Sequence, residues 1–206
     1  MSATNYDDLQ KQIIDWSHRN DLGTKIPDFI SLAEDAMYYN SVEVLTIRAI
    51  ETTTLLTHTG KVIDLPDNFE SARKVSLDTE HGELTFQAPE QMKVEPSTGK
   101  PKFYTIIGNQ IELDRVPDTN YSLELSYFKK ADSLSDTVQT NEILDKHSSI
   151  YLYGSLAQLF AFAQDDQQSA KYGQLFMGAI RGANKASKKG RYGTTPSMSL
   201  SRGMIV

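Results

Sequence analysis

The chain of 206 residues contains no cysteine. That excludes disulfide staples and thiolate chemistry, and it removes the commonest structural zinc sites. Carboxylates are missing from one whole end: Asp166 is the last, and the forty residues after it carry Lys171, Arg181, Lys185, Lys188, Lys189, Arg191 and Arg202. The first 166 residues therefore hold all 27 acidic groups and 14 of the 21 basic ones, so the net charge of −6 is a −13 body joined to a +7 end. An acidic body repels polyanions, while a basic end seeks a negative or polar surface, so this separation bears on partners rather than on fold. Long apolar runs are missing too. The most apolar stretch, 150–163, is fourteen residues, short of the ~20 needed to span a bilayer. Residues 1–5 are polar and carry no signal-peptide core, so the sequence predicts a soluble product assembled in a cytosol. At 39% hydrophobic and 23% charged, the chain suits a globular protein with a real core.

Catalytic and ligand motifs are scarce. Gly99-Lys100 evokes a phosphate loop, but Pro101 follows the lysine and Pro96 stands where a partner glycine would help. A loop punctuated by proline and glycine explains it better. His18, His58, His81 and His147 are scattered without a second ligand at metal-binding spacing. Glu80-His81-Gly82-Glu83 reads as a solvated turn rather than an ion site. Carboxylate pairs at 7–8, 34–35 and 165–166 fall at helix starts or on wet faces. Neither a GxSxG elbow nor HExxH occurs. No catalytic residue, cofactor site or metal site is assigned.

Hydrophobic periodicity divides the chain. Residues 6–18 predict a helix capped by Asn5, with Tyr6, Leu9, Ile13 and Trp16 as its apolar stripe. Residues 27–40 predict a second, opened by Pro27 and burying Phe29, Ile30, Ala33 and Met37. Residues 41–50 suit either a helix or a strand. The period then falls to about 2. Strands are expected at 51–59, 73–78 and 84–87, with a helical turn within 89–94. Residues 102–107 and 110–116 read as a hairpin joined by Gly108-Asn109. Tyr121, Leu123, Leu125 and Tyr127 alternate with polar residues as a third strand, completing a β-meander. Helices return at 144–162 and 167–188, with Asp165-Asp166 as caps between them.

This gives an α+β fold. Residues 1–50 and 131–189 form one helical bundle, 51–130 an antiparallel β domain, and 190–206 a flexible basic tail. The helix over 150–163 has only Ser155 and Gln158 as polar side chains. A helix apolar on every side must be covered on every side, so it is either central or faces another subunit. Tyr38-Tyr39, Phe103-Tyr104 and Tyr127-Phe128 could stack bases beside Lys100, Lys102, Lys129 and Lys130, but alternating core and rim positions account for them.

Taken together, the chain resembles the head-to-tail adaptor proteins of short-tailed bacteriophages. The resemblance rests on Tyr6-Asp7-Asp8-Leu9 with Trp16 and Arg19, Ile26-Pro27-Asp28-Phe29-Ile30-Ser31-Leu32-Ala33-Glu34, and Leu65-Pro66-Asp67-Asn68-Phe69. It continues in Pro96-Ser97-Thr98-Gly99-Lys100-Pro101-Lys102-Phe103-Tyr104 and Tyr151-Leu152-Tyr153-Gly154-Ser155-Leu156. It implies a non-enzymatic virion protein, twelve copies ringed between portal and tail nozzle, with genome DNA passing through and tail fibres often attached nearby. On that view Tyr151, Tyr153, Leu156, Leu159 and Phe160 are expected at the subunit interface. Lys185, Lys188, Lys189, Arg191, Tyr192 and Arg202 are expected at the portal, the tail ordering as it docks. An acidic lumen would let DNA slide without sticking. The runner-up is a nucleic-acid-binding module acting through the basic tail. A carbohydrate- or peptide-binding β domain leaves the helix at 150–163 unexplained, and an enzyme lacks any constellation.

Overall fold

The computed structural model describes residues 3–57, 60–77 and 82–192, with 191–192 described by backbone alone. The chain divides into two units, Met1–Arg48 with Ser133–Val206, and Ala49–Asp132. The fold is α+β, with helices at both ends of the chain and strands between.

In the first unit, α1 (Tyr6–Ser17) starts where the Asn5 side chain accepts the Asp8 N–H at 2.8 Å. It ends at His18, whose left-handed φ of 54° stops the helix. A short 3-10 turn, Asn20–Lys25, leads to α2 (Ile26–Tyr38), with Pro27 in its first turn. Ile26, Phe29, Ile30, Ala33 and Met37 are buried. Asn141 caps α3 (Glu142–Phe162) by accepting the Ile143 and Leu144 N–H groups. His147, at φ −142° and ψ 46°, breaks α3 after its first turns. A reversal through Gln164 (φ 58°) leads to α4 (Asp166–Tyr192), opened by Asp165 accepting the Gln168 N–H at 3.1 Å.

The apolar helix is central: α3 packs against α1, α2 and α4. Ile150, Tyr151, Leu152, Leu156 and Leu159 are buried among them. Gly154 leaves no room for a side chain. A Cβ there would lie 2.9 Å from Ala33 Cβ and 3.0 Å from the Phe176 ring. The segment 41–47 is neither helix nor strand, and a 3-10 turn, Arg48–Ile50, follows it. Three of the bonds that hold the segment to α4 come from one buried side chain: Asn184 accepts the Thr46 N–H and donates to Val44 O and Glu43 Oε1. Asparagine reproduces the donor and acceptor of a peptide, so a helix can pair with an extended strap.

Among its described residues the second unit holds eight strands: β1 (Glu51–Leu56), β2 (Val62–Asp64), β3 (Phe69–Leu77), β4 (Gly82–Glu83), β5 (Thr85–Phe86), β6 (Phe103–Ile107), β7 (Gln110–Leu113) and β8 (Leu123–Lys129). They form two sheets, ordered β1-β8-β3-β4 and β2-β7-β6-β5. The hairpin β6–β7 turns through Gly108 at φ 59°, as the sequence suggests. The meander does not continue. β8 leaves β7 and inserts between β1 and β3 in the other sheet, and the β5–β6 pair is parallel. Alternation fixes which face of a strand is buried but not which strand lies beside it. Leu123, Leu125 and Tyr127 still reach the expected core, shared with Ile63, Val75, Leu77, Tyr104, Ile111 and Leu113 from both sheets. Asp114, 1% exposed, accepts the Lys102 and Phe103 N–H groups and holds the 96–102 loop to the end of β7.

Candidate assembly surface

Aromatic side chains from three helices meet at one surface of the helical unit. Trp16 on α1 lies 6.2 Å from Tyr153 on α3, and Tyr153 lies 6.5 Å from Tyr172 on α4. Tyr172 stacks on Phe160 at 5.4 Å and 3°, with Lys171 Nζ 5.2 Å from its ring. Tyr153 and Phe160 are half-buried, and Trp16 is 45% exposed. The stripe expected on α1 therefore stops at Ile13, because Trp16 lies at the edge of the buried arc and rests on Tyr153. Phe162 contacts Phe29 at 5.6 Å yet is 59% exposed.

Beneath this surface lies a buried polar network. Asn141 Nδ2 donates to the Tyr151 hydroxyl at 2.7 Å, and that hydroxyl donates to Glu34 Oε1 at 3.0 Å. The same Glu34 oxygen accepts the Leu134 N–H at 2.9 Å. Burial first, and the Glu34 charge second, push the Tyr151 hydroxyl far above its ordinary pKa. At neutral pH it is therefore a proton donor, and its bond to Glu34 ties α3 to α2. Burial, then Lys146, hold the His147 imidazole below its ordinary value.

α4 carries the cations. Lys171, Arg181, Lys185, Lys188 and Lys189 are exposed along it. Arg181 Nε lies 3.3 Å from Glu43. Among the described residues no group of three or more His, Cys, Asp or Glu could hold a metal ion, and no helix is long and apolar enough to cross a membrane.

A family model for the SU10 adaptor protein matches residues 4–198. The chain belongs to this family. Its role is accordingly structural, that of a phage head-to-tail adaptor in the virion neck, in contact with portal and tail components. No curated protein matches the chain.

The adaptor's expected interface residues fall into two groups. Tyr151, Leu156 and Leu159 are closed in by the chain's own helices. For these three, intrachain packing supplies the cover that a neighbouring copy was expected to give. Tyr153 and Phe160 remain at the surface, within the aromatic row. Of the portal residues, Lys185, Lys188 and Lys189 stand exposed on α4. The side chains of Arg191 and Tyr192, and all of Arg202 with the tail from 193, lie outside the described residues. Sequence reading put Glu34 on a wet face and Trp16 in the core, whereas Glu34 is buried and Trp16 is half-exposed, and it gave Asn184 no role. Glu34 left a signal, since a carboxylate between Ile30, Ala33 and Met37 on the buried stripe needs buried donors.

Proposed function

We propose that this adaptor closes a ring of twelve copies between portal and tail nozzle, with tail fibres attached nearby and genome DNA passing through without specific contact. The ring belongs to the phage neck and is assembled in the host cytoplasm. The basic end of the chain, Lys185, Lys188, Lys189, Arg191, Tyr192 and Arg202, faces the portal, and Tyr153 and Phe160 face a neighbouring copy.

One observation carries this reading. The charged residues exposed on the far half of α4 are all cations, in a chain that is otherwise acidic and belongs to an adaptor family. An acidic lumen favours sliding over adhesion, because affinity for DNA comes mainly from phosphate contacts. The aromatic row adds a surface that closed-ring contact between copies would cover.

The test is deletion of residues 190–206. The shortened protein should keep its fold and lose binding to the portal ring in co-sedimentation. Normal portal binding by the truncated chain overturns the assignment. Tight, steeply salt-dependent binding of the intact protein to duplex DNA would favour the nucleic-acid reading instead.

A further inference from the structure

An open groove of about 500 Å3 runs along the outer side of α1, lined by Ala3, Thr4, Asp8, Lys11, Gln12, Asp15 and Trp16. Three features say what it suits. Trp16 is the chain's single tryptophan and is 45% exposed there. Tryptophan is enriched among the residues that anchor protein–protein contacts. Asp8 and Asp15 flank it against the one cation Lys11, so the groove favours a cation. An indole face beside a carboxylate holds an arginine best, through stacking and charge together.

The same helical unit carries the complement elsewhere. The outer face of α4 has Lys171 and Arg181 exposed, ahead of Lys185, which is assigned to the portal, and the sequence contains no carboxylate after Asp166. Gly178 and Gly182 lie on that helix, and a Cβ at either would meet nothing within 4 Å. Each costs about 1 kcal/mol of helix propensity relative to alanine, and between the cations they leave a flat strip on which another helix can lie.

We propose that the α1 groove of one copy receives the outer face of α4 from a second copy, with Arg181 seated against Trp16 and Asp15. Two different, complementary patches on one chain make a heterologous contact, which repeats around a ring rather than stopping at a pair. Arg181, 59% exposed, exchanges its half-buried partner Glu43 for this site, and Glu43 keeps the hydrogen bond that it accepts from Asn184. The assignment deepens the ring reading and rests on it.

The absence of cysteine makes the test direct. Gln12→Cys places a thiol in the groove and Gly178→Cys places one on α4. The two variants, mixed and treated with a short bismaleimide, on portal rings and separately at high concentration, should give covalent dimers that neither gives alone. Asp15→Arg in the groove chain should lower the yield about tenfold, the scale of one arginine–tryptophan contact with its carboxylate. Arg181→Asp in the other chain should restore it. Dimers from Gln12→Cys alone, or a yield indifferent to Asp15→Arg, overturn the assignment. Co-sedimentation of the wild-type chain with the portal is read in the same samples. Its loss sinks the ring reading, whereas portal binding without cross-linking sinks the groove alone.

Discussion

The Tyr151 hydroxyl donates to Glu34 Oε1 at 3.0 Å, tying α3 to α2 inside the helical unit. Glu34 is 5% exposed and Tyr151 1%, so the carboxylate is stable there only while its donors are present. Tyr151→Phe removes one donor from Glu34 and leaves Asn141 without its acceptor. The expected loss is about 1–3 kcal/mol in urea unfolding. Glu34→Gln should cost a similar amount, and the double variant less than the sum, because both act on one network. Strict additivity would show that the two side chains do not share a bond energetically.

Gly154 makes a prediction of the opposite kind to helix propensity. Alanine at an exposed helical position gains about 1 kcal/mol over glycine. Here the new methyl would meet Ala33 Cβ at 2.9 Å and the Phe176 ring at 3.0 Å, both fixed in the core. Gly154→Ala should therefore destabilise by about 1–3 kcal/mol through overpacking. A rise in melting temperature would show that α2 and α4 can move apart to admit it.

One residue further on, Ser155 Oγ is buried without a hydrogen-bond partner among the described residues. Ser155→Ala removes a desolvated hydroxyl and keeps the shape. It should be neutral or stabilising, by up to about 1 kcal/mol. Clear destabilisation would show that a water or a rotated hydroxyl satisfies the group.

These residues show what was legible in the sequence. The helices, their caps at Asn5 and Asp165, and the Gly108-Asn109 hairpin follow from local rules, in which a residue speaks for its neighbours one turn away. The apolar run 150–163 announced a helix covered on all sides, and local pattern left open whether by this chain or another. The structure answers for Tyr151, Leu156 and Leu159, which lie inside α1, α2 and α4. The departure of β8 from the meander and the Asn184 strap were illegible because each depends on a partner far along the chain, Glu51–Leu56 for β8 and 43–46 for Asn184. Period and propensity carry no information about distant pairing. The candidate surface was half legible: Tyr153 and Phe160 were expected there, whereas Trp16 was expected in the core.

Asn184 itself is 3% exposed and makes three hydrogen bonds to the strap. Asn184→Leu keeps the branched shape, though with a larger volume, and deletes all three, leaving the Thr46 N–H and Val44 carbonyl without those partners. Amide exchange at Thr46 should accelerate at least tenfold, with proteolysis appearing within 41–48, while α1–α3 stay protected. Unchanged exchange at Thr46 would mean that the Leu45 N–H bond to Met37 O and the Arg48 N–H bond to Ser187 hold the strap unaided.

His147 gives the fold a dependence on pH with a definite sign. Burial and Lys146 lower its folded pKa below the ordinary 6.5, so the unfolded chain binds a proton more readily than the folded one. The contribution is fully present above about pH 6.5 and is lost as pH falls from there through the folded value. Carboxylates add their own slope below pH 5, so the discriminating comparison is His147→Gln against wild type between pH 7.5 and 5.5. The wild-type urea midpoint should fall more steeply over that interval than the variant's. Parallel slopes would assign the dependence to other groups and leave His147 as a residue whose role is confined to the break in α3.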